Sequence, residues 1–177
     1  LNEAGFVTGL HTYAMFIDSN ATLLYDPEYQ KDLDVMGTYT LAENIDDVSI
    51  VLTLAEGNSS FSSEFGFFIK NSSYIMIDNE IIKFSTSPDG TLAIKRGQYG
   101  TTPAEHAAGA QVYHLTNYFY MFAPKVGSEL FYHIARETAR AYNEGGFGMI
   151  YLDALDGLWS AGIAPGEEWY YAAAFVS

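Results

Sequence analysis

The sequence predicts an α/β fold, a partial TIM barrel carrying a small inserted antiparallel β domain. Three observations lead there. Residues 146–157, GFGMIYLDALDG, form a glycine-bounded apolar run that stops in two carboxylates three residues apart. Barrel enzymes place acids and bases where parallel strands end. Residues 128–146 immediately before it read as an amphipathic helix closed by Gly145-Gly146, so helix and strand together read as one α-β step. Between an early strand-like run and that helix lies a stretch with a different texture, short β runs separated by turn residues.

Taken in order, residues 5–17 (GFVTGLHTYAMFI) are rich in β-branched and aromatic types and predict a buried strand, with Gly9 allowing close backbone approach. Residues 18–47 break into Asp-Ser-Asn, Asp-Pro-Glu and Met-Gly-Thr and read as turns and irregular connection. From 48 to 115 the runs SIVLTLAE, FGFFIK, SYIMID, EIIKFS and TLAIKRGQYG predict antiparallel strands, with 74–84 as a hairpin and Pro88-Asp89-Gly90 as the next turn. Thr102, Pro103 and Gly109 mark a single helical turn over 102–109. Ser128 caps the long helix, whose Leu130, Phe131, Ile134, Ala135, Thr138, Ala141 and Tyr142 recur at helical spacing, and a strand over 147–152 packs antiparallel to it. The domain organisation is then 1–20 barrel strand, 21–47 connection, 48–116 inserted β module, and 117–177 barrel helix, strand and active-site loop.

Composition narrows the function. The 177 residues are 49% hydrophobic and 16% aromatic, enough to bury a core. Eight basic against 22 acidic residues give a net charge of −14, which repels nucleic acid and anionic lipid. Cysteine is absent, so thiolate chemistry is excluded. No run approaches the roughly 20 apolar residues of a membrane-spanning helix. The strand-like opening and the apolar ending at 169–176 lead to the expectation of a piece of a longer polypeptide, its exposed edges covered by the rest of that polypeptide or by a second copy.

Two resemblances sharpen the expectation. Ile77-Asp78-Asn79-Glu80-Ile81-Ile82, Arg96-Gly97-Gln98-Tyr99-Gly100-Thr101-Thr102 and His106-Ala107-Ala108-Gly109-Ala110 resemble a β module of phage tail proteins and large bacterial carbohydrate-active proteins, covering about residues 66–115. That resemblance implies no chemistry of its own, and Arg96 and His106 are expected to knit turns together. Leu10-His11-Thr12-Tyr13 with residues 148–157 is similar to barrel strands of α-galactosidase-like glycoside hydrolases, which place an Asp at a strand end facing the sugar. It implies hydrolysis of glycosidic bonds.

Such hydrolysis needs two carboxyl groups, about 5–5.5 Å apart for retention or about 6.5–9.5 Å for inversion. Asp153 is the candidate nucleophile or base. Asp156 is the second carboxylate or a sugar-orienting group, against the plainer reading that it forms a turn with Gly157. His11 and Tyr13 share side-chain parity on one strand, so both can face a site at its end. Imidazole suits acid–base work near neutral pH, and a His/Tyr pair also suits a polysaccharide lyase. Tyr13, Tyr151, Trp159 and Trp169 are the candidate sugar-stacking residues, while Glu167 and Glu168 are further acids in the following loop. No metal site or cofactor is expected, since His11, His106, His114 and His133 are scattered and no calcium-loop pattern is present. The expected partner is a glycan substrate, and the acidic, aromatic composition fits a secreted or periplasmic bacterial enzyme. The alternative is a non-catalytic glycan-binding or phage-tail-like structural module.

Overall fold

A computed structural model describes residues 2–57, 61, 62, 66, 69–155, 163 and 166–175. It divides into two compact units, a continuous one, Ile17–Ala123, and a split one, Leu1–Phe16 with Pro124–Ser177.

The split unit holds β1 (Gly9–Thr12), α2 (Glu129–Glu144), β10 (Met149–Leu152) and α3 (Glu168–Ala172). β1 and β10 pair in parallel, with Gly9 opposite Met149 and Thr12 opposite Leu152. Amides on either side extend the ladder, Gly148 N–H donating to Thr8 O and Asp153 N–H to Thr12 O. The Ser128 side chain accepts from Phe131 N–H and caps α2, and Gly146 beyond its end takes φ 62°, a conformation glycine adopts without a Cβ clash. Leu130, Phe131 and Ala135 are the buried face of α2. Phe131 meets the Phe175 ring edge-on at 5.4 Å and the Tyr171 ring at 6.0 Å, which packs α3 and the residues just after it onto the helix.

The continuous unit is a six-stranded antiparallel sheet in the order β2-β7-β4-β5-β6-β3. Its strands are β2 (Val35–Thr40), β3 (Val51–Leu52), β4 (Tyr74–Ile77), β5 (Glu80–Thr86), β6 (Leu92–Lys95) and β7 (Gln111–Leu115). The two outer strands meet through the Leu41–Leu54 bridge, where Ala42 N–H donates to Thr53 O and Ala55 N–H to Thr40 O. The sheet therefore curls toward a closed ring, which removes exposed edges. Leu41, Leu52, Leu54, Phe61, Ile75, Ile77, Ile82, Phe84, Leu92 and Val112 fill its interior. A short helix, α1 (Pro27–Gln30), capped by Asp26, and a two-stranded pair, β8 (Asn117–Tyr118) with β9 (Met121–Phe122), complete the unit.

This architecture overturns the α/β, TIM-barrel expectation. The protein is β-rich: six of its strands form an antiparallel sheet, and parallel pairing among the described residues is confined to β1 and β10. Strands in the wall of a parallel barrel are buried on both faces, whereas β1 and β10 alternate between exposed and half-buried positions, with Met149 59% and Tyr151 57% exposed. For the same reason residues 5–17 are not one buried strand. Only Gly9–Thr12 is extended into the ladder.

Two local readings also change. β2 lies where the sequence predicts an irregular connection, since its partner β7 is distant in the chain. Residues 102–109 form no helical turn. Ala104 N–H donates to Glu80 Oε2 and Ala104 O accepts from Arg96, so the backbone groups a helix would pair internally are used across the fold. The 74–84 hairpin forms as patterned, with Ile77 opposite Glu80 and Asp78-Asn79 as the turn. The run FGFFIK lies partly outside the described residues.

Candidate functional site

Alternation along two parallel strands builds the site. Odd-numbered residues of β1 and β10 share one face, so His11 lies beside Tyr151 in register, and Tyr13 and Asp153 continue the same face just past the strand ends. The His11 ring lies 5.1 Å from that of Tyr151 and 5.7 Å from that of Tyr13. His11 Nε2 is 3.3 Å from Asp153 Oδ2, and the other carboxylate oxygen, Oδ1, accepts from Ala154 N–H at 2.8 Å. Both side chains are open to water, His11 56% and Asp153 37% exposed.

The backbone turns sharply beyond each strand. Ala14, after Tyr13, has φ 45°, and Ala154, after Asp153, has φ 60°. Alanine in this left-handed region costs about 1–2 kcal/mol, and both alanines are buried, 2% and 7% exposed. The turns therefore hold Tyr13 and Asp153 at the ends of adjacent strands against a local backbone preference. Such strain gathers at functional positions. Alanine carries no sequence mark for a left-handed residue, so this feature was not legible.

Of the predicted site residues, the structure brings together His11, Tyr13, Tyr151 and Asp153. Trp169 stands on α3 and is 72% exposed. Glu167 occupies the position before α3, exposed and making no side-chain cap. Asp156 and Trp159 lie outside the described residues. No group of three or more His, Cys, Asp or Glu able to hold a metal ion occurs among the described residues. No helix among them is long and apolar enough to cross a membrane.

A second polar cluster, in the continuous unit, is buried. Glu80 is 2% exposed and sits at the start of β5. Its Oε1 accepts from Arg96 Nε at 2.8 Å and Gly97 N at 2.9 Å, and its Oε2 from Arg96 Nη2 at 2.6 Å and Ala104 N at 3.2 Å. Arg96 also donates to the carbonyls of Asp46 and Ala104. His106 places Nδ1 2.8 Å from Asp78 Oδ2 and Nε2 2.9 Å from Glu80 Oε2. Burial opposes the charge of Glu80, but Arg96, His106 and the two amides overcome it and hold the carboxyl below its usual range. Arg96 and His106 thus knit turns together. Their anchor Glu80 was missed, since one Glu beside a turn reads as solvated charge.

Compared with models of known protein families and with curated proteins, the chain matches none.

Proposed function

We propose that the chain belongs to a carbohydrate-active protein and that His11, Tyr13, Tyr151 and Asp153 form the face that meets the glycan. The observation that carries this reading is the His11–Asp153 contact at 3.3 Å across two parallel strand ends, with a tyrosine ring on either side of the imidazole. Tyrosine rings offer an apolar face to sugar C–H groups while their hydroxyls stay wet. The carboxylate orients the imidazole and stabilises it when protonated, so the two act as a single proton-transfer unit.

The spacing limits the chemistry. Groups 3.3 Å apart approach a glycosidic bond from the same side, whereas hydrolysis needs carboxyls separated by about 5 Å or more. In a hydrolase, Asp153 with His11 therefore supplies one partner, and Asp156 or Glu167 is the candidate for the other. In an eliminative cleavage, His11 takes the proton beside a uronate carboxylate, the C–H pair forms the new double bond, and Tyr13 O–H protonates the departing oxygen. The net charge of −14 disfavours such an acidic glycan and favours hydrolysis of a neutral one.

Mass spectrometry of a neutral and acidic glycan panel treated with the chain, and with its Asp153→Asn and His11→Gln variants, tests this. The expected result is release or binding of a neutral glycan, with any cleavage lost by about a hundredfold or more in both variants. Unsaturated products would establish elimination instead. No binding and no cleavage would overturn the reading in favour of a structural module. That second reading is favoured by the buried Glu80–Arg96–His106 knit, which occupies the segments resembling the phage-tail module.

A further inference from the structure

Gly9 and Met149 stand opposite each other at the start of the ladder that sets His11 beside Tyr151. Side chains alternate between faces along a strand, so positions 9 and 149 belong to the face of His11 and Tyr151. Gly9 has ordinary strand geometry, and what it supplies is room. A methyl group placed on it would come within 2.9 Å of Met149 Cε, closer than two carbons pack. The tip of the Met149 side chain therefore rests over Gly9, with most of the residue's surface open to water.

We propose, building on the glycan reading of the His11–Asp153 face, that Met149 seated over Gly9 is a platform for sugar units beyond the one held at His11 and Asp153. The ligand is then an extended neutral oligosaccharide laid along β1 and β10. From position 9 to position 13 the face runs about 13 Å at roughly 3.3 Å per residue, more than one sugar ring covers. Its exposed surfaces follow one another over that length: the Met149 thioether, the Tyr151 ring beside His11, and the Tyr13 ring past the strand end.

Apolar contact is non-directional, so such a platform selects for the length of the chain more than for the identity of each sugar. A thioether is flexible and polarizable and adapts to the C–H face set on it. Gly9 and Met149 bring no charge, which suits an uncharged ligand. A second copy of the protein would bring its own net charge of −14 to this face, and the repulsion disfavours that occupant.

Methionine methyl NMR of the full chain tests the platform, with linear gluco-, manno- and galacto-oligosaccharides titrated in from monosaccharide to hexasaccharide. The Met149 signal is identified by its loss in Met149→Ala. Affinity should rise with chain length, and the Met149 methyl should shift with the longer chains and stay still with the monosaccharide. Gly9→Ala suits a strand backbone and displaces only the far end of a flexible side chain, so it moves the thioether off its seat with the fold retained. Both variants should bind the hexasaccharide about tenfold more weakly, the loss of one buried apolar contact, so that the gain from length disappears. Equal affinity for short and long chains, or a length dependence that survives both variants, would overturn the platform and leave the His11–Asp153 reading standing. Absence of binding to every sugar would overturn both. Sedimentation showing a dimer that Met149→Ala dissolves would give the patch to a second copy and overturn the platform alone.

Discussion

Two imidazole–carboxylate contacts in this chain use the same chemical groups in opposite surroundings. His11 and Asp153 meet at 3.3 Å with side chains 56% and 37% exposed, whereas His106 and Glu80 meet at 2.9 Å with 1% each. Water screens the first pair and competes for its atoms, so it contributes little to stability and remains available to a ligand. The second pair has lost its water, and each charge there must be met by protein donors and acceptors. Exposure leaves a pair free for chemistry, and burial commits it to holding the fold.

The strongest way to break that contrast is Glu80→Gln. The substitution keeps the shape but removes the charge that meets Arg96 and the His106 ring, leaving the buried guanidinium short of its anion in a dry site. Removing one partner of a buried ion pair costs about 3–5 kcal/mol. Urea denaturation should show the midpoint falling accordingly with an unchanged slope. A loss under about 1 kcal/mol, the range of an exposed pair, would mean that the buried cluster does not stabilise the β unit as argued.

Acid should separate the two regions next. His114 is buried, its Nε2 2.7 Å from Ser72 O and its ring stacked on Phe61 at 4.7 Å, and burial pushes its pKa down. In the unfolded chain a histidine takes up a proton near pH 6.5 while the folded His114 still refuses it. The unfolded state then binds more protons, so stability falls as pH drops below about 6.5. Glu80 acts in the same direction at lower pH. Its depressed carboxyl stays ionised when unfolded glutamates begin to protonate near pH 4.3, and its contribution is lost as pH falls through the folded value. Denaturation midpoints measured across pH should therefore decline in two stages. His114→Phe, which keeps an aromatic ring at that position, should remove the first stage and retain the second.

Within the split unit, a smaller effect is expected at the cap of α2. Ser128→Ala removes the acceptor for Phe131 N–H and should cost about 1 kcal/mol, read as a lower thermal midpoint and lost helical signal.

That helix was legible because its causes are local, namely a capping serine, apolar spacing and a glycine stop. The 74–84 hairpin was legible for the same reason, with its turn residues between two apolar runs. β2 was not, because Val35 to Thr40 have no strong alternation and owe their strand to β7, with Thr38 opposite Tyr113. The barrel reading failed on the same ground. An apolar run ending in Asp does not report whether both its faces are covered, and Tyr151 and Met149 turn out to be exposed. The shared face of His11 and Tyr13 was legible from side-chain parity, since that depends only on the period of an extended chain. Glu80 shows the limit from the other side, because its role comes from Arg96 and His106, 16 and 26 positions away.

The smallest stability effect is expected at the exposed pair, and it completes the comparison. His11→Gln, Asp153→Asn and the double variant form a cycle whose coupling free energy isolates the contact. At this exposure the coupling should lie within about 0.2–1 kcal/mol and shrink as salt is added. Each single variant should keep the unaltered midpoint closely while glycan release or binding is lost. Loss of function without loss of stability places the pair in contact with ligand. A coupling of several kcal/mol, by contrast, would make His11–Asp153 a structural contact like His106–Glu80, and the face between Tyr13 and Tyr151 would then owe its arrangement to folding alone.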